Sequence, residues 1–125
     1  LLRLDEKVSD TITEWKSDAR KSQITIRQLL SLTNGIDTGQ NGRPPVYAEA
    51  ITYPAKYEPG TTFEYGPAPF QIFGEVMRRK LKTETPLDYL KRRIFNPIGL
   101  SVASWTHREG QPNLPSGAFL TAREW

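Results

Sequence analysis

The sequence contains no cysteine, and only one histidine and one methionine among its 125 residues. The missing thiols exclude disulfides and thiolate metal sites, and they leave the redox compartment open. The single imidazole, His107, has no obvious partner for a histidine-based triad, so a solvated loop side chain is its plain reading. No metal ligands recur at helical spacing, and the sequence implies no cofactor. No stretch approaches the ~18 apolar residues of a membrane span, and no signal-peptide pattern opens the chain. Glycine-rich phosphate loops are absent, as is a Gly-x-Ser-x-Gly elbow, since Ser116 has Leu114 two residues before it. No serine has a lysine three residues later; Thr13 and Lys16 do share that spacing, on a polar helix end where a surface pair is the simpler reading. The charge imbalance is small, 17 basic against 14 acidic residues. The basic clusters Arg78–Lys82 and Lys91–Arg93 lack interleaved aromatics for base stacking, so they read as solvated helix faces and not as a nucleic-acid surface.

What is present describes a globular chain, 37% hydrophobic and 25% charged, long enough for one modest core. Leu4, Val8, Ile12 and Trp15 recur on one face of a predicted first helix. Thr25-Ile26-Arg27-Gln28 matches a capping box, and the short helix it opens carries Leu29, Leu30 and Leu32 before a left-handed stop at Asn34-Gly35. Residues 35–60 carry little regular pattern. A helical turn over Val46–Ile51 and the aromatic surface of Tyr47, Tyr53 and Tyr57 predict an ordered loop bordering a cleft. A longer helix follows from Ala68 to Leu81, expected to bury Phe70, Phe73, Met77 and Leu81, with Ile72 and Val76 widening the stripe. Gly74 within it marks close approach of a neighbour, because a helical glycine costs about 1 kcal/mol against alanine. Thr85 as N-cap and Pro86 at N1 start another helix, expected to bury Leu87, Leu90 and Ile94 and to stop before Asn96-Pro97. Val102–Thr106 reads as a short strand and His107–Pro115 as a polar loop. The chain opens Leu1-Leu2 without methionine and closes at Trp125 as a new helical turn begins, so it reads as a segment of a longer protein.

The chemistry concentrates in Pro59-Gly60-Thr61-Thr62-Phe63-Glu64-Tyr65-Gly66-Pro67. A Pro-Gly turn and a β-prone run lead to Tyr65, and Gly66-Pro67 breaks the run into the long helix. Tyr65 is thereby placed at a helix N-terminus, where partial positive charge and backbone N–H groups collect. A phenol so held is either a packing residue with a wet hydroxyl, the commoner case, or a group positioned for proton transfer.

The ordered set of Leu4-Asp-Glu-Lys-Val8, Ile24-Thr-Ile-Arg-Gln-Leu-Leu-Ser-Leu-Thr-Asn-Gly-Ile36, Pro59-Gly-Thr-Thr-Phe-Glu-Tyr65, Phe70-Gln-Ile-Phe-Gly74, Pro86-Leu-Asp-Tyr-Leu90, Ile94-Phe-Asn-Pro-Ile-Gly-Leu100 and Ser116–Arg123 resembles the middle of a serine β-lactamase or penicillin-binding-protein-like hydrolase, in the class C β-lactamase and esterase branch. The resemblance runs collinearly over nearly the whole chain. It implies that residues 1–125 are one partial domain: an α-rich helical subdomain with few short strands, forming one cleft wall of an α/β β-lactamase-like fold, with the remainder of that domain as its packing partner. It also implies an ester, D-amino-peptide or β-lactam substrate for the intact protein, no cofactor, and an exported or periplasmic setting. Of the family's three motifs, Ser-x-x-Lys, Tyr-x-Asn and a Lys-Thr-Gly-like strand, only the second has a counterpart, Tyr65-Gly66-Pro67. Tyr65 takes the catalytic position by resemblance, with Pro67, Ser116 and Gly117 at substrate-binding positions. The family tyrosine, coupled to the motif lysine, is thought to shuttle the serine's proton to the leaving group. A free phenol with a pKa near 10 needs cationic neighbours for that work. Pro67 departs from the family's asparagine and offers no side-chain donor or acceptor. The segment alone is expected to be inactive. A non-catalytic scaffold of the same shape is the alternative, and an independent helical interaction module a third.

Overall fold

The computed structural model describes residues 1–124. Its core is drawn from the first three-fifths of the chain: Val8, Ile12, Trp15, Ile24, Ile26, Leu29, Ile36, Ala50, Ile72 and Val76 form one buried cluster. The capping box predicted at Thr25 is present in full and starts α1 (Ile26–Leu30): the Gln28 N–H donates to Thr25 Oγ1 at 3.3 Å, and the Thr25 N–H to Gln28 Oε1 at 2.9 Å. One helical turn, α2 (Tyr47–Ala50), forms inside the long loop, as its composition predicted. The principal helix, α3 (Ala68–Leu81), packs against both. Thr85 caps α4 (Pro86–Leu90), which continues through a π-helical stretch, Lys91–Phe95, and ends at Asn96. Four two-residue strands, β1 (Ser104–Trp105), β2 (His107–Arg108), β3 (Gln111–Pro112) and β4 (Ala118–Phe119), pair as two antiparallel ribbons, β1 with β4 and β2 with β3. The result is the expected α-rich architecture with few short strands. Among the described residues no helix is long and apolar enough to cross a membrane.

Three expectations are corrected. The first helix is not continuous: Val8–Asp10 and Thr13–Ser17 are separate 3-10 turns. The segment before them is held across the chain instead, with the Val8 N–H donating to Ile24 O, Ile26 N–H to Glu6 O and Arg27 N–H to Leu4 O. Val8, Ile12 and Trp15 are buried as the spacing required, while Leu4 stays exposed. The stop after α1 falls earlier than Asn34-Gly35, because Leu32 itself takes a left-handed φ of 59°. Asn34 is buried and accepts from the Ile36 N–H at 2.9 Å, a side-chain turn and not a helix cap. Finally, the predicted stripe of α3 is buried only in part, at Ile72, Val76 and Met77. Ile72 and Val76 face the core with polar Gln71 and Glu75 beside them, Phe70, Phe73 and Leu81 are only half-buried, and in the following helix Ile94 is exposed.

Glycine 74 sits where a neighbour comes close, as its cost in a helix suggested. A Cβ there would lie 2.6 Å from Tyr47 Cζ and 2.7 Å from Leu114 Cδ1. The loop to Gly60 is tied down by the Asp37 N–H to Pro54 O, the Lys56 N–H to Gly35 O and the Gly60 N–H to Thr33 O. Its aromatic residues differ in burial: Tyr47 is enclosed, Tyr53 half-buried, and Tyr57 exposed.

Candidate active-site groove

Tyr65 reaches the surface because the chain on either side of it is fixed. The Glu64 N–H donates to Leu32 O at 3.0 Å, and three residues after Tyr65 the first residue of α3, Ala68, donates its N–H to Thr38 O at 3.0 Å. Gly66 lies against Thr38 so closely that any Cβ would strike the threonine side chain. Tyr65 is therefore held between two anchored residues while its own side chain remains 70% exposed. The helix terminus beside it is poorer in donors than the sequence suggested. Ala68 is committed to Thr38, Pro69 has no N–H, and Phe70 alone remains to offer one from the first turn.

Tyr65 and Pro67 line a groove of about 370 Å³ together with Asn41, Pro44, Phe70 and Ser116. Three of the four residues singled out from the sequence thus share one concavity, although they come from distant parts of the chain. Ser116 is exposed, and its Oγ accepts from Asn113 Nδ2 at 3.2 Å; that hydrogen bond fixes the hydroxyl but supplies no base. Gly117 is buried behind it, packed under Trp105, where a Cβ would lie 2.6 Å from the indole nitrogen. Its position holds the Trp105 Nε1–H to Asn113 O hydrogen bond of 2.9 Å in place. His107 stands in β2, exposed, with Nδ1 2.8 Å from Trp105 O. Among the described residues no cluster of His, Asp or Glu could hold a metal ion.

Two residues that sequence reasoning passed over bear on the groove, Asn41 from its lining and Gln71 from the segments it ties together. Asn41 is the one side-chain amide lining it, carried on a turn closed by the Arg43 N–H to Gln40 O hydrogen bond. Gln71, only 2% exposed, lies beneath: its Nε2 donates to Pro45 O at 2.8 Å, and its Oε1 accepts from the Leu114 N–H at 3.1 Å. A glutamine inside the apolar stripe of α3 was the available signal, because a buried amide has to find partners. The contrast among tyrosines is equally clear. Burial, with the Glu75 carboxylate as the next cause, pushes the Tyr47 hydroxyl up to about 12. Tyr47 is enclosed and Tyr65 open.

Comparison with known proteins bears on the family and the fold. The sequence model of the Beta-lactamase family matches residues 1–120. Over 62 residues, half of this chain, the sequence is 34% identical to lovastatin esterase of Penicillium rubens, of which the match covers 15%. A crystal structure described as a β-lactamase of Bacteroides dorei superposes with a TM-score of 0.77 at 25% identity, over 98% of this chain and 40% of that one. The D-amino acid amidase of Ochrobactrum anthropi, complexed with D-phenylalanine, shares the fold with a TM-score of 0.62 at 17% identity, over 99% of this chain and 42% of that one. The chain thus spans less than half the length of these relatives. On the match over residues 1–120 and the shared fold, this chain belongs to the β-lactamase family of hydrolases.

Proposed function

We propose that this chain supplies the tyrosine-bearing wall of a serine-hydrolase cleft, and that Tyr65 carries a proton between the nucleophilic serine and the leaving group. The observation that carries this reading is the exposed Tyr65 side chain on the lip of a groove of about 370 Å³, held by anchored neighbours on both sides. The 125 residues contain no Ser-x-x-Lys, so the nucleophile and its partner lysine come from outside them. Without those groups the chain turns over no substrate.

The substrate proposed is an ester or a D-amino-acyl amide and not a β-lactam. Pro67 brings no side-chain hydrogen bond where the family's asparagine would grip the substrate's acyl amide. Pro44 and Phe70 extend the same apolar character along the groove. The local identity to an esterase supports the same choice.

The test is Tyr65→Phe in the complete hydrolase, with single-turnover acylation as the readout. The expected loss is roughly 10²–10⁴-fold, the usual worth of a positioned acid–base group. Unchanged acylation returns Tyr65 to packing and favours the non-catalytic scaffold. Short-chain p-nitrophenyl esters are expected to turn over faster than nitrocefin; efficient nitrocefin hydrolysis without esterase activity refutes the substrate choice.

A further inference from the structure

Beyond the rim formed by Gly42 and Pro44, the Tyr65 groove adjoins a second concavity of about 390 Å³, and those two residues line both. The second hollow differs in its chemistry. Arg43, His107 and Arg108 line it with the neutral side chains of Gln71, Thr106 and Asn113, and no carboxylate is among its lining residues. Elsewhere on the molecule several guanidinium groups are paired closely with acids: Arg20 with Glu58, Arg27 with Asp5, Arg78 and Arg79 with Glu75, Arg92 with Glu84. In this hollow the pairing is looser. Among the described residues Arg43 makes no ion pair, and the nearest acid to Arg108 is Glu49, at a loose 3.7 Å.

The basic groups are also held in place. The Arg108 Nη1–H donates to Pro44 O at 3.2 Å, which pins the guanidinium to the shared rim. Its strand is set by the β2–β3 hairpin, where His107 pairs with Pro112 and Arg108 with Gln111 around Glu109 (φ 52°) and Gly110 (φ 77°). Two successive left-handed residues give the tight turn that matches strand twist. Arg43 sits on the turn closed onto Gln40, with Gly42 at φ 80°. The Trp105 carbonyl beside His107 Nδ1 requires that nitrogen to donate, which leaves Nε2 free.

We propose that this hollow is a carboxylate subsite of the hydrolase cleft: a substrate lying along the Tyr65 groove crosses the Gly42–Pro44 rim and places an acidic group on its acyl side against Arg43 and Arg108. Guanidinium groups suit this because their planar forks match a carboxylate with two parallel hydrogen bonds. The inference rests on the proposed hydrolase reading for its catalytic consequence, but the binding itself is separable from it.

The experiment therefore has two arms. In the complete hydrolase, kcat/KM is compared for p-nitrophenyl hemiglutarate, whose acyl chain ends in a carboxylate, and for uncharged p-nitrophenyl butyrate. Arg43→Ala with Arg108→Ala is expected to lower the hemiglutarate value about tenfold or more, from the loss of charge-assisted hydrogen bonds, and to change the butyrate value less than about twofold. Arg43→Glu alone, at an exposed side chain, is expected to act in the same direction without disturbing the Pro44 contact. In the second arm, glutarate and inorganic phosphate are titrated separately into the 125-residue chain while the His107 imidazole signals are followed by NMR. Saturable glutarate shifts that vanish in the double variant support the subsite. Glutarate binding without turnover of either ester keeps the subsite and removes the hydrolase reading. No glutarate binding, phosphate binding alone, or an equal loss with both esters overturns the subsite.

Discussion

Tyr65 and Ser116 border the same groove, yet the chain supports them by different means. Tyr65 belongs to the region that owns the core, and the ten residues of the buried cluster all lie between Val8 and Val76. Beyond Leu87 the chain buries only Pro112 and Gly117 among the described residues, and the π-helical stretch Lys91–Phe95 buries nothing. Ser116 stands on that second region. It is held by a Phe95–Trp105 stack at 6.2 Å, by the Tyr47 N–H donating to Gln111 Oε1 at 2.7 Å, and by the Leu114 N–H donating to Gln71. One side of the groove is therefore secured by apolar burial, which is cooperative and non-directional, and the other by a few oriented hydrogen bonds. The second kind of support is the easier to remove singly.

Gln71→Leu is the largest expected effect. It strips the partner from Pro45 O and from the Leu114 N–H at once, and two unsatisfied buried groups cost about 2–5 kcal/mol together. Chemical denaturation measures the loss. Hydrogen exchange is expected to rise over residues 112–118 more than over 64–68; equal protection in the two segments would break the comparison. Gly74→Ala comes next. Alanine gains about 1 kcal/mol of helix propensity, but its Cβ collides with an enclosed Tyr47 ring and Leu114, and overpacking of this kind costs about 1–3 kcal/mol. A net loss near 1 kcal/mol in denaturation is expected, and a net gain shows that Leu114 moves freely.

The smallest effect is one of pH on the core-bearing region. Arg79 bridges Glu75 and Glu14, both at 2.7 Å. Hydrogen bonding to Arg79 and to its own backbone holds the Glu14 carboxyl down to about 2 from 4.5. Burial pushes Glu75 up, but the hydrogen bonds from Arg78 and Arg79 outweigh it and leave that carboxyl lowered as well. A lowered carboxylate contributes stability that is complete above its ordinary value and is lost as pH falls through the folded one. Relative to Glu14→Gln, the native chain is expected to be more stable by about 0.5 kcal/mol at pH 6, because Glu14 is largely exposed and its pair screened. That margin shrinks below pH 4.5 and vanishes near pH 2, in urea titrations at each pH. A margin independent of pH removes the ion pair from the account.

How far the sequence could be read follows the range of the forces involved. The Thr25 and Thr85 caps and the close approach at Gly74 were legible because each depends on a few neighbouring residues or on one conspicuous cost. The first helix was misread because its i, i+4 spacing also fits two 3-10 turns, and the choice between them is made by hydrogen bonds to residues 24–27. The stop at Asn34-Gly35 failed for a similar reason: Gly35 is left-handed at φ 80°, but the asparagine side chain serves Ile36, and Leu32 has already turned left-handed behind α1. In the groove, Tyr65 and Pro67 announce themselves by the break into a helix. Ser116 was indicated only by the family resemblance, and Asn41 and Pro44 by nothing, because no local signal says that residues 41–44 and 115–116 meet over Gln71.

That meeting through one carboxamide has a consequence for how such a cleft could change. The nitrogen end of Gln71 fixes the segment bearing Pro44, and its oxygen end fixes the segment bearing Ser116. The gap between those lips is therefore gauged by a single rigid planar group. The shorter amide of asparagine at position 71 would draw on both lips at once, so the aperture can be retuned in one mutational step without replacing Tyr65, Pro67 or Ser116.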